Sequence, residues 1–179
     1  MCGFTKYVPY VFLDVDGVCT SAEETPGSYM TNRGGDYGVS KGPFRRLASL
    51  LADTGAKVVV SSNWRKFEDS GPGSVWHNMV YGDVANPLPR LRRMLGSCYL
   101  GDLPKARRCS KSQALRMWFD DAGLDPAECR YVVFDDDPRE GFQDSEFAGH
   151  FVKTDCRTGL TDADCERAKE ILGRGGEQE

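Results

Sequence analysis

The sequence has no apolar run approaching the ~20 residues needed to cross a bilayer. The hydrophobic stretch near its start is interrupted by Asp14 and Asp16. Neither a membrane span nor a secretory leader is expected, and the chain reads as an intracellular, cytoplasmic protein. Histidine is scarce, with only His77 and His150. The seven cysteines (Cys2, Cys19, Cys98, Cys109, Cys129, Cys156 and Cys165) contain no C-x-x-C pair. These spacings argue against a zinc site, and the odd count argues against a disulfide framework, so reduced thiols are expected. Surplus positive charge is also missing. Lys and Arg total 23 against 27 Asp and Glu, a net charge of −4, which argues against general attraction to nucleic acid while leaving room for a local basic groove. No G-K-[ST] phosphate loop is present, so a nucleotide-driven kinase step is not expected. RNA-recognition and zinc-knuckle patterns are absent, as are internal repeats.

What is present is an alternation of two periodicities. The segments 10–13 (YVFL), 57–60 (KVVV), 98–100 (CYL), 131–134 (YVVF) and 150–153 (HFVK) are short, apolar and rich in β-branched or aromatic residues, and read as buried strands. Between them, apolar residues recur at helical spacing over 43–52, 111–123 and 161–172, and Thr161 with Asp164 forms a capping signal. Pro87 and Pro89 open a shorter basic helix with Leu88, Leu91 and Leu95 facing inward. Strands alternating with helices imply an α/β domain whose mainly parallel sheet is covered on both faces. At 179 residues, 40% of them hydrophobic, one domain with a substantial core is expected, spanning 1–173. The loops 18–42 and 65–85 are expected as flaps and 174–179 as a disordered tail.

In such sheets chemistry gathers at the carboxyl ends of the strands. Four polar signals fall there. Asp14 and Asp16 follow YVFL; Ser61, Ser62 and Asn63 follow KVVV; Asp135, Asp136 and Asp137 follow YVVF; Lys111 starts the helix leading into that last strand. Carboxylates brought together from two strands crowd negative charge, which a hard divalent cation such as Mg²⁺ relieves while also binding a substrate phosphate. Asp14 and Asp16 are two apart, so both can address one reacting group, and Gly17 lets the chain turn away. One carboxylate can attack phosphorus while the other handles the proton. A serine hydroxyl and a lysine can hold the phosphoryl oxygens. The serine is Ser61 or Ser62, with Ser61 preferred because it directly follows the strand. The lysine is Lys111 or Lys105, with Lys111 preferred because it begins the amphipathic helix.

In order, FLDVDGV, VVVSSNW, Lys111 and VVFDDDP resemble the four motifs of the haloacid dehalogenase (HAD) superfamily of phosphohydrolases, over roughly residues 10–140. The resemblance implies a Rossmann-like three-layer sandwich. It makes Asp14 a nucleophile that forms an aspartyl-phosphate, Asp16 the general acid/base, Ser61 a phosphoryl ligand and Lys111 its stabiliser. Mg²⁺ would be held by Asp14, the Asp16 backbone carbonyl, and Asp135 or Asp136. The second aspartate disfavours a plain dehalogenase. The run SSNWR is similar to the S-x-W-R of HAD domains attached or related to RNA repair proteins, and the segment from His150 to about residue 172 resembles the close of that group. By this resemblance Ser62, Asn63, Trp64 and Arg65 join Ser61 at the substrate, with Arg65 near the phosphate and Trp64 available to stack a terminal base.

The intervals 14–61 and 61–111 leave no room for a full cap domain, and an open site favours a large substrate. The expected substrate is a phosphate monoester at a polynucleotide end, with Arg90, Arg92, Arg93, Lys105, Arg107 and Arg108 as a candidate track for its backbone. Two other readings stay open: a phosphatase of nucleotides or other small phosphate monoesters, and a non-catalytic HAD-like domain that binds a phosphate-bearing partner.

Overall fold

The computed structural model describes residues 4–24, 39–67, 88–105 and 109–173. Most of both expected flaps, Arg107 and Arg108, Cys2, His77 and the tail 174–179 lie outside the described residues. Five parallel strands form one open sheet: β1 (Tyr10–Leu13), β2 (Lys57–Val60), β3 (Tyr99–Asp102), β4 (Tyr131–Asp135) and β5 (Phe151–Lys153), in the order β3-β2-β1-β4-β5. Among the described residues the helices are α1 (Lys41–Thr54), α2 (Leu88–Leu95), α3 (Lys111–Ala122) and α4 (Asp162–Gly173). This is the Rossmann-like α/β architecture expected from the alternation of patterns. None of the described helices is long and apolar enough to cross a membrane.

The strands are apolar throughout because both faces of the sheet are covered. On one face Val11, Leu13, Val58 and Val60 pack with Leu47, Leu50 and Leu51 of α1, Leu88 and Leu91 of α2, and Ala168 and Ile171 of α4. On the other, Tyr10, Phe12 and Val59 pack against Leu115, Trp118 and Phe119 of α3. Each buried side chain of this kind contributes about 1.5–3 kcal/mol. The capping signal read in the sequence is formed, and the structure adds a second. Thr161 and Asp164 bond each other's backbone amide reciprocally at 2.9 and 3.2 Å, and Ser110 makes a capping box with Gln113 at the start of α3.

Three strands differ in extent from the sequence reading, β4 only by Asp135 at its end. Cys98 belongs to a 3₁₀ turn, Gly96–Cys98, and β3 runs on through Gly101 to Asp102. Gly and Asp are poor strand formers, and the pairing of Gly101 with Val59 and of Asp102 with Val60 carries this edge strand on. His150 closes a 3₁₀ turn, and its ring stacks on Tyr131 at 3.9 Å between centroids.

Topology decides where the chemistry lies. β1 pairs with β2 through Leu13↔Val60 and with β4 through Leu13↔Phe134. The next residues, Asp14, Ser61 and Asp135, therefore emerge side by side. After β3 the chain crosses to the other side of β1 to form β4, so the crevice between β1 and β4 is the switch point at which open α/β sheets bind ligands.

Candidate active site

Asp14 leaves β1 still tied to β4, its amide donating to the Phe134 carbonyl at 3.0 Å, and its side chain is almost fully buried. The next turn is tight. Val15 O accepts from Cys19 N at 2.8 Å and Thr20 N at 3.1 Å, while Gly17 adopts a left-handed φ of 65°. A Cβ at Gly17 would collide with the Asp136 carboxylate, so a side chain there is excluded by both conformation and space. Asp16 lies on this turn and is only part-buried. Its Oδ2 accepts a hydrogen bond from the Trp64 indole nitrogen at 2.8 Å.

Across the crevice, Asp135 is fully buried at the end of β4. The ammonium of Lys111, the first residue of α3, lies 2.7 Å from Asp14 Oδ2 and 2.7 Å from Asp135 Oδ2. Lys105 is exposed in the loop after β3. Asp14, Asp135 and Asp136 can each offer one carboxylate oxygen within 4.8 Å of the others, a spacing suited to a hard cation with oxygen ligands. Asp16's carboxylate is outside that group. Asp137 is a turn residue: its side chain accepts from Arg139 N at 2.9 Å and caps a 3₁₀ turn, Pro138–Glu140.

The electrostatics describe a site short of positive charge. Burial pushes the Asp135 carboxyl pKa up, to about 8, with the Asp14 charge adding to the effect and Lys111 opposing it. Burial alone would lower the pKa of Lys111, but Asp14 and Asp135 outweigh it and raise it, so the ammonium stays charged. One ammonium cannot neutralise three carboxylates. A divalent cation at Asp14, Asp135 and Asp136 would.

The SSNWR segment is positioned differently from the sequence expectation. Ser61 N donates to Leu13 O at 2.8 Å, and the Ser61 hydroxyl is buried with no hydrogen-bond partner among the described residues. The Ser62 hydroxyl accepts from Trp64 N at 3.4 Å within the turn. Trp64 is wholly buried in the core. A ring without an exposed face cannot stack a terminal base, so its polar role is to hold Asp16. Arg65 is also buried. Its Nη1 donates to the carbonyls of Ser61 and Ser62, and its Nη2 to Pro104 O at 3.5 Å. Its Nη atoms therefore fasten the β2 loop to the β3 loop instead of facing a ligand, and burial lowers its pKa. In the expected basic track, Arg92 is paired with Asp102 and lies over Tyr99, so that charge is already engaged inside the protein.

Glu140 was not legible as a site residue. One of its carboxylate oxygens accepts from Asn63 Nδ2 at 3.0 Å and the other from Lys111 N at 2.7 Å. The D-P turn is visible in the sequence; the partners it reaches are not. Glu140 thus joins the β2 loop, the start of α3 and the turn after β4. Hydrogen bonds to a charged acceptor contribute about 1.5–3 kcal/mol each. Glu140→Ala is expected to lower both the melting temperature and kcat, with Glu140→Gln intermediate because it retains one acceptor. Thermal unfolding and turnover of an aryl phosphate check this, and equal behaviour of both variants and the parent would remove Glu140 from the site's support.

A parallel sheet carrying an acidic cluster and a buried lysine at its switch point defines an α/β domain of the HAD type. The chain belongs to the family described as the HAD domain in Swiss Army Knife RNA repair proteins, which matches residues 10–165. It matches no curated protein and no solved structure. Family membership supports a phosphatase-type hydrolase, and the cluster of Asp residues can bind an ion.

Proposed function

We propose that the chain is a Mg²⁺-dependent phosphomonoesterase that works through an aspartyl-phosphate and removes phosphate from polynucleotide ends. The observation carrying this reading is the Lys111 ammonium held at 2.7 Å from both Asp14 and Asp135, beside a buried Ser61 hydroxyl without a partner among the described residues. Burying a hydroxyl unpaired is costly, and a phosphoryl oxygen would satisfy it. Ser62 is already used in the turn, which favours Ser61 as the phosphoryl ligand.

Asp14 attacks phosphorus through a carboxylate oxygen, and the bond to the leaving oxygen breaks as that oxygen takes a proton from Asp16. Asp16 then removes a proton from water, which attacks the same phosphorus. The acyl-phosphate bond breaks, releasing phosphate and restoring the Asp14 carboxylate. Trp64 holds Asp16 in one orientation through both steps. Lys111 and Ser61 hold the phosphoryl oxygens as charge shifts. Mg²⁺ would be held by Asp14, Asp135 and Asp136 with the Asp16 backbone carbonyl, and would supply charge neutralisation for a dianionic substrate. Free thiols at Cys19, Cys98, Cys129, Cys156 and Cys165 suit a reducing cytoplasm.

Asp16→Asn is expected to slow turnover by ~10²–10⁴-fold, the range for loss of a positioned proton donor and acceptor. Single-turnover kinetics should show both phosphorylation and dephosphorylation slowed; loss of only one phase would assign the other proton transfer to a different group. The substrate is tested by phosphate release from a 3′-phosphorylated oligonucleotide and from the matching 3′-mononucleotide, with and without Mg²⁺. Faster metal-dependent release from the oligonucleotide supports end processing. Release only from the mononucleotide makes the protein a small-molecule phosphatase.

A further inference from the structure

A second polar cleft of about 470 Å³ opens at the carboxyl ends of β4 and β5 and shares Asp136 with the acidic cluster. Its size falls in the range of small-ligand sites, about 300–1,000 Å³. Most hydroxyls in its wall are already engaged. Thr161 Oγ1 donates to Asp164 at 2.6 Å, and Thr158 Oγ1 donates to the Gly159 carbonyl at 3.1 Å. Thr154 is different. It is buried, 4% exposed, lines the cleft, and its hydroxyl has no hydrogen-bond partner among the described residues. Its amide donates to Asp135 O at 3.1 Å, so the hydroxyl stands one strand away from the proposed reaction centre on a rigid ladder. An unpaired buried hydroxyl is a hydrogen-bonding group awaiting a partner.

The charge of the wall narrows the ligand class. Lys153 lines the cleft together with Asp136, Asp155 and Asp164, an acidic balance that disfavours a phosphate inside it and accepts a neutral hydroxylated group. We propose that this cleft binds the sugar of the nucleotide carrying the scissile phosphate, with Thr154 Oγ1 hydrogen-bonded to a ribose hydroxyl. The inference rests on the phosphatase reading above and names the part of the substrate that reading leaves unplaced.

The test compares a ribonucleoside 3′-monophosphate, its 2′-deoxy counterpart and an aryl phosphate on the parent protein, Thr154→Val and Thr154→Ser. Valine keeps the branched shape, and serine keeps the hydroxyl. The parent is expected to prefer the ribonucleotide about five- to tenfold in kcat/KM, the range for one hydrogen bond. Thr154→Val should erase that preference while leaving aryl phosphate turnover within about twofold, and Thr154→Ser should restore it. An unchanged ribo-to-deoxy ratio in Thr154→Val, or an equal loss on all three substrates, overturns the proposal. If no substrate turns over in the parent, the phosphatase reading has failed. Calorimetric titration of the two nucleotides then decides the cleft alone: weaker ribonucleotide binding to Thr154→Val supports it, and equal affinities overturn it.

Discussion

Asp14→Asn is expected to reduce kcat by about 10⁴–10⁶-fold, the order of loss when a covalent nucleophile is removed, while leaving the fold intact. The reason for the intact fold is electrostatic. Asn keeps the size of Asp and an oxygen facing Lys111, and the buried charges fall to one ammonium and one carboxylate, Lys111 and Asp135, already 2.7 Å apart. The Asp14 charge also contributes to the raised pKa of Asp135. A carboxyl whose pKa is raised on folding contributes stability below its unfolded value and loses that contribution as pH rises through the folded value. For Asp135 the window runs from the ordinary 3.8 to about 8. Removing the Asp14 charge lowers the upper limit, so at pH 8 the metal-free variant should melt no lower than the parent. Aryl phosphate kinetics and thermal unfolding in a chelator check both parts, and parental activity in Asp14→Asn would place the nucleophile elsewhere.

Lys111→Met should have the opposite effect on stability. It leaves Asp14 and Asp135 in the crevice without their cation, and removing one partner of a buried ion pair costs about 3–5 kcal/mol. The cost should be largest at pH 8. At pH 5 it should be smaller, because Asp135, with a folded pKa of about 8, carries its proton there with or without Lys111, and only near pH 8 does the parent draw on Lys111 to ionise it. Mg²⁺ added at pH 8 should recover part of the loss by supplying positive charge to the same carboxylates. Urea unfolding at the two pH values, with and without Mg²⁺, measures this. Equal stability of variant and parent at both would mean that Lys111 does not compensate the carboxylates. Turnover should be lost in either case, because the phosphoryl oxygens lose their fixed cation.

The strands and the acidic cluster were legible because each depends on a local pattern. YVFL and KVVV begin and end in the structure where their apolar runs do, and the strand-end rule picks out Asp14, Ser61 and Asp135 without any contact being known. Contacts distant in sequence were not legible. Glu140 reaches Asn63, 77 positions away, and Lys111, 29 away, and no local periodicity encodes either. Trp64 and Arg65 were read by resemblance as substrate contacts because they follow Ser61. The 3₁₀ turn Asn63–Phe67 instead takes the indole into the core and the guanidinium onto backbone carbonyls. Thr154 could have been found by applying the strand-end rule to β5, but an isolated threonine carries no charge to mark it.

Glu140 binds three segments that arrive from separate parts of the chain. The loop after β2, the first turn of α3 and the turn after β4 are thereby expected to behave as one unit in hydrogen exchange. Amides in the first turn of α3 and those of Asp137, Arg139 and Glu140 should exchange at a common rate, slower than those of the exposed Ala127 and Glu128 in the 3₁₀ turn Pro126–Glu128, which lies outside this clasp. Opening events that separate Lys111 from its carboxylates would then be rare, and the reaction centre would be either fully assembled or wholly open.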